Sequence, residues 1–209
     1  MDIKMTQKIE LIRNFGSKLS LAVNLIDDCS TGEIAGEVGV SLKGLAVNPV
    51  RNPSGYYLFL NLPETNYTVQ VKGGEFYFDT GKENVNPTDL DKRNPVITLT
   101  LYPTPSYPFQ PTATLIMGHV QDSMGKGISN AVVNVGESDI HTRTTEKGDF
   151  VIYFKDLKKD DVTLIDGKKL VNIHGKDPIL VILHLDYEKK TVSVAVEERK
   201  ITSLSVTCP

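Results

Sequence analysis

A chain of 209 residues with 40% hydrophobic content can bury one large core or two small ones. Its 23 basic against 26 acidic residues leave a net charge of −3, so no global field draws it to nucleic acid or an anionic membrane. Two cysteines, Cys29 and Cys208, are too few for a disulfide scaffold and read as free thiols.

Residues 1–15 read as an N-terminal arm. Met5, Ile9 and Ile12 follow the i, i+4, i+7 spacing of a short amphipathic helix, and a frayed arm or an extra edge strand fits equally. Met1 to Lys8 hold no apolar run of the signal-peptide kind, and the longest apolar run, Pro178 to Leu185, is strand-sized. A cytoplasmic location is the expectation.

From Leu19 the periods become those of strands. Leu19, Leu21, Val23 and Leu25 alternate, Asp27 to Gly32 reads as a turn, and Val38, Val40 and Leu42 alternate again. Asn52-Pro53-Ser54-Gly55 punctuates before Tyr57 and Phe59, and Tyr67, Val69 and Val71 give a further strand. Residues 79–95 read as a polar surface loop, since Asp89 and Asp91 alone are too few oxygen donors for a calcium loop. Val96 to Leu101 reads as a closing strand.

Tyr102 to Pro111 carries four prolines in ten residues, which fix φ and withhold amide donors. An extended polyproline II linker over 103–114, without sheet hydrogen bonds, is the expectation. Its Pro-x-x-Pro spacing suits a proline-reading groove, while Tyr102, Tyr107 and Phe109 equally suit packing between two domains.

Gly118 to Asp122 leads into the turn Ser123–Gly127, then Ala131, Val133 and Val135 alternate. Thr145, Gly148, Phe150, Ile152 and Phe154 follow as a second strand with its entry turn. Asp166-Gly167, between Val162–Ile165 and Lys168–Val171, is a type I′ hairpin signal. Further strands are expected at Ile179–Leu185, Thr191–Val196 and Ile201–Val206.

Two stretches repeat in register. Gly32, Ala35, Val38, Val40 and Leu42 match Gly125, Ile128, Ala131, Val133 and Val135, an offset of 125 − 32 = 93. Gly55, Tyr57 and Phe59 match Gly148, Phe150 and Ile152, and 148 − 55 is again 93. The pattern of strand, Asp, Gly turn, Ala-x-Val-x-Val and Thr-x-x-Gly-x-Phe resembles the carboxypeptidase regulatory-like family of prealbumin-type sandwiches. Leu62-Pro63 with Tyr67 and Val69 is similar to that family's Leu-Pro-x-x-x-Tyr-x-Val segment, which the stretch after Phe154 lacks. The run Asn48 to Leu60 is similar to segments of accessory proteins of phage-tail-like contractile injection particles. The fold implied is all-β, with two tandem prealbumin-like (Ig-like) β-sandwiches over 16–102 and 115–209.

No catalytic pattern emerges. His119, His141, His174 and His184 share no chelating spacing, there is no Gly-x-Ser-x-Gly elbow, and no glycine-rich turn opens a helix. Asp27 and Asp28 are expected to raise the pKa of Cys29. Related enzyme families also fail on residues: there is no separate zinc carboxypeptidase domain, no terminal Tyr-Arg-Gly-Ser, and no His-x-His beside iron-binding tyrosines. The expectation is a non-enzymatic structural or interaction protein, an adaptor or subunit of a larger assembly that binds other protein and needs no cofactor, catalytic residue or metal. Candidate contact residues are Asn48, Pro49, Val50, Arg51, Asn52, Tyr107 and Phe109. A carbohydrate-binding or adhesive surface module and a degenerate dioxygenase-like enzyme are the alternatives. The first is disfavoured by the absence of tryptophan, and the second would show a tyrosinate colour with iron.

Overall fold

The computed structural model describes residues 16–30, 33–136 and 138–209. The expectations for residues 1–15 and for the Gly32 end of its turn lie outside them. The described chain is almost wholly β, with short 3-10 turns at Pro87–Asp89 and Lys159–Asp161.

Seven strands run from Leu19 to Leu101: β1 (Leu19–Asp27), β2 (Gly39–Leu42), β3 (Val50–Arg51), β4 (Tyr57–Leu60), β5 (Tyr67–Lys72), β6 (Thr80–Val85) and β7 (Val96–Leu101). They form two sheets, ordered β3-β4-β1-β7 and β2-β5-β6. Strand β1 is the axis of the first sheet, antiparallel to β4 and parallel to β7. The alternation read from the sequence decides which side chains meet between the sheets. Leu21, Val23, Phe59 and Leu99 from one sheet face Val40, Leu42, Val69 and Val71 from the other. Complete burial of Phe59, at 0% exposure, contributes about 2–3 kcal/mol relative to leaving it in water. The Tyr67 hydroxyl donates to the Pro63 carbonyl at 2.8 Å, which ties the Leu62-Pro63 bend to the start of β5.

Nine strands follow: β8 (Leu115–Gln121), β9 (Val132–Val135), β10 (His141–Arg143), β11 (Asp149–Tyr153), β12 (Val162–Ile165), β13 (Lys168–Val171), β14 (Ile179–His184), β15 (Tyr187–Ser193) and β16 (Ile201–Thr207). The sheet β11-β8-β16 repeats the earlier pairing, with β8 antiparallel to β11 and parallel to β16. It packs on β10-β9-β14-β15 around Ile116, Val133, Val135, Phe150, Ile152 and Leu180. The hairpin β12–β13 turns through Asp166 and Gly167 at φ 49° and 77°, the left-handed pair that the Asp-Gly signal requires.

Three expectations change. Part of 79–95 is the strand β6, antiparallel to β5; it reads as loop because Lys82, Glu83 and Asn84 are all exposed and leave no alternation to detect. Strand β15 begins at Tyr187 rather than Thr191, its start hidden by the charged run Glu188, Lys189 and Lys190, the first two of them exposed. The linker is no free polyproline strut. Phe78 N donates to Tyr102 O at 2.9 Å, Thr104 N donates to Phe76 O at 2.8 Å, and a turn follows with Tyr107 N donating to Thr104 O at 3.1 Å. Prolines withhold their own amides only; their neighbours' amides and carbonyls remain free to pair.

Candidate functional site

An open groove of about 930 Å³ lies beside β3. Asn24 and Leu25 of β1, Glu33 and Ile34, Arg51, and the turn Asn52–Gly55 line it. The turn is held by its own chemistry. Asn52 N donates to Tyr56 O at 2.9 Å, the Asn52 side-chain oxygen accepts from Tyr56 N at 2.8 Å, and Gly55 sits at φ 86°. Val50 pairs with Leu58 and Arg51 with Tyr57, so both stand on an edge strand. Val50 is 57% exposed, and the Arg51 guanidinium lies 5.6 Å from the centre of the Tyr57 ring. That stacking positions the cation, and no salt bridge reaches it among the described residues.

Strand pairing beside this groove differs between the two pairs of sheets. In the first pair of sheets, β3 stays beside β4. In the second pair, β10 pairs with β9, in the sheet that does not hold β11. At the position 93 residues after Arg51, Thr144 is 1% exposed; its hydroxyl donates to Ile128 O at 2.6 Å and accepts from Ala131 N at 2.9 Å. That bridge ties the stretch after β10 to the β8–β9 connection.

Of the residues singled out from the sequence, Arg51 and Asn52 line the groove, while Asn48 and Val50 are exposed and Pro49 is half-buried on the approach to it. Tyr107 and Phe109 lie elsewhere, at the junction of the two sheet pairs. The Tyr107 hydroxyl donates to Asp27 Oδ2 at 2.6 Å, and its ring meets Tyr77 edge-on at 5.5 Å. Phe109 stands 4.8 Å from Tyr107 and 5.6 Å from Tyr153, between ring centres. Both rings are half-buried against other rings of the chain. Asn24 and Leu25 escape a sequence reading because β1 reaches the groove by pairing with distant strands, and Glu33 and Ile34 because their loop meets it only in the fold.

The junction centres on Asp27, a carboxylate only 3% exposed. It accepts from Cys29 N, the Ser30 hydroxyl, the Tyr77 hydroxyl and the Tyr107 hydroxyl, at 2.7, 3.0, 3.0 and 2.6 Å. Burial, then donation to Asp27, pushes the Tyr107 phenol well above its usual range. Burial first, then the charges of Asp27 and Asp28, pushes the Cys29 thiol up to about 12. The acidic neighbours act in the expected direction, but desolvation is the larger cause. Arg143 Nη2 donates to Asp79 O at 2.7 Å, and Lys155 pairs with Asp28 at 2.8 Å across the same junction.

Among the described residues, no group of three or more His, Cys, Asp or Glu side chains converges to hold a metal, and no helix is long and apolar enough to cross a membrane. His119 Nδ1 lies 2.8 Å from Asp149 Oδ1, and His184 Nδ1 accepts from Asp186 N at 3.1 Å.

No family model and no curated protein matches the chain. Among solved structures, the Bacillus anthracis TIE protein is 14% identical over 92% of this chain and 34% of its own, with a TM-score of 0.33. A streptococcal ancillary pilin is 13% identical over 94% of this chain and 63% of its own, with a TM-score of 0.29. A type II cohesin–X-dockerin complex from Acetivibrio cellulolyticus is 15% identical over 46% of this chain and 56% of that chain, with a TM-score of 0.30. The chain thus spans less than two thirds of each. Likeness this distant assigns no activity.

Proposed function

We propose that the chain is a non-enzymatic, protein-binding module of a larger assembly, with the groove beside β3 as its contact site. The open edge at Val50 and Arg51, set against a groove of about 930 Å³, carries this reading. A short exposed edge next to a groove offers backbone hydrogen bonds, an aliphatic contact and one cation to an extended segment of a partner. Two tandem prealbumin-like sandwiches, 16–102 and 115–209, joined by 103–114, would hold that site at a fixed distance from whatever the second half engages.

Strand pairing supports the tandem reading. Leu42 pairs with Val69 and Val135 with Leu180; 135 − 42 = 93 but 180 − 69 = 111. The 93-residue offset therefore holds up to β11 and then grows by 111 − 93 = 18, in the stretch that contains the hairpin β12–β13.

The test is site-specific photo-crosslinking in cells that express the chain natively. A crosslinker at Val50 is expected to yield a discrete adduct with another protein, lost on Arg51→Glu, while one at Lys126 in the far turn yields none. Adducts at Lys126 but not at Val50, or turnover of a small substrate by the pure chain, would sink the proposal.

A further inference from the structure

Strand β16 ends its sheet without the protection that the other described edges carry. β3 is two residues long, β10 three, and β2 and β12 four. β6 carries Lys82 and Glu83 and is distorted by Asn84 at φ 55°. β13 carries Lys168 and Lys169, and β15 carries Glu188, Lys189 and Lys190. β7 lies beside β6, and β11 beside β10. β16 is seven residues long, with no charge, proline or glycine, and keeps unbroken register with β8 from Ile201 to Thr207. Long, flat, uncharged edges are templates for another strand, and folded proteins ordinarily shorten, charge or bend them.

The hydrogen-bond phase shows which groups are offered. Leu115 N donates to Lys200 O at 3.0 Å, and Cys208 N donates to Gln121 O at 2.8 Å. Even-numbered residues therefore face β8, and Ile201, Ser203, Ser205 and Thr207 aim their amides and carbonyls outward. All four are exposed.

We infer that β16 pairs antiparallel with β16 of a second copy, joining two chains about a two-fold axis near Leu204. The row is self-compatible: such pairing sets Ser203 against Ser205 and Ile201 against Thr207, with no like charges opposed. Lys200, next to the strand in sequence and paired with Glu197 at 2.8 Å, favours one direction. Parallel pairing would set the two lysines side by side, whereas antiparallel pairing separates them by twice 204 − 200 residues, about 27 Å. That exceeds the roughly 8 Å screening length at physiological salt. These residues are distinct from the groove beside β3, so the two proposals stand or fall separately.

Sedimentation equilibrium of the full chain over a concentration series tests the pairing. The wild type is expected to approach twice the chain mass at high concentration. Ser205→Lys, on an exposed outward position, is expected to remain at the single-chain mass, with an unchanged melting midpoint at dilutions where the wild type is also single. Ser203→Pro, which removes one outward amide, is expected to act likewise. A wild-type chain that stays single up to about 100 μM, a range in which small specific interfaces assemble, overturns the inference. So does a dimer that survives both substitutions.

Discussion

Asp27 shows how one buried charge can organise a junction. A carboxylate out of water is costly unless its oxygens are met by donors, and here four donors meet them. Asp27→Ala removes an acceptor from two phenols, the Ser30 hydroxyl and an amide, and is expected to lower unfolding stability by about 2–4 kcal/mol in denaturant titrations. Tyr107→Phe removes a single donor and is expected to cost about 1–2 kcal/mol. Equal losses for the two would deny Asp27 its place as the hub. The same surroundings govern Cys29. Its thiol is raised from 9.0 to about 12, so the stability due to the neutral form is complete below 9 and lost as pH rises towards 12. At pH 8 its thiolate is scarce, although each thiolate is a stronger nucleophile. Disulfide exchange with an aromatic disulfide reagent is therefore expected to run about tenfold to a hundredfold slower than for a free cysteine. The Asp27-Asp28-Cys29 sequence shows the charges but not the burial, which arises only in the folded chain.

At the scale of elements, Gly55 and Gly148 make a matched pair, 93 residues apart and at φ 86° and 89°. Their surroundings differ. A Cβ at Gly55 would meet nothing within 4 Å, whereas one at Gly148 would lie 2.3 Å from Val120 O and 2.9 Å from Gly127 Cα. Gly55→Ala is expected to cost only the left-handed backbone, about 1–2 kcal/mol. Gly148→Ala adds a backbone clash and is expected to cost about 3 kcal/mol or more. Chemical denaturation of the two variants checks the order, and a reversal would contradict the packing described. The motif Thr-x-x-Gly-x-Phe thus has a physical basis: Gly148 N donates to Thr145 O at 3.0 Å, and Phe150 enters the core directly after the turn. Elements with one apolar face, or with a turn pair such as Asp166-Gly167, were legible in the sequence. Polar edge strands β6 and β15 were not, because neither face leaves an alternating trace. The candidate groove was half legible: Arg51 and Asn52 stood out in a punctuated loop, but β1 and the Glu33–Ile34 stretch supply its other walls. Nor did the sequence reveal that β7 and β16 run parallel to the strands they join.

For the whole molecule, the question is what fixes one pair of sheets relative to the other. Lys155–Asp28 is partly exposed and adds little by itself, since solvent and salt screen such pairs. The aromatic chain from Tyr77 through Tyr107 and Phe109 to Tyr153 is a stronger tie, with successive rings at 5.5, 4.8 and 5.6 Å. Such contacts contribute about 0.5–1.5 kcal/mol each beyond the area they bury. Arg143 adds a second tie, with its guanidinium 4.9 Å from the centre of the Phe78 ring while it donates to Asp79 O. Cutting both ties with Phe109→Ser and Arg143→Ser removes no residue from either core. The double variant is expected to keep the circular dichroism of the folded sheets and to broaden its small-angle scattering distance distribution towards longer distances. Lys155→Ala alone is expected to leave that distribution unchanged. Were the lysine variant to loosen the molecule while the double variant did not, electrostatics rather than ring packing would set the geometry, and high salt would then loosen the wild type as well.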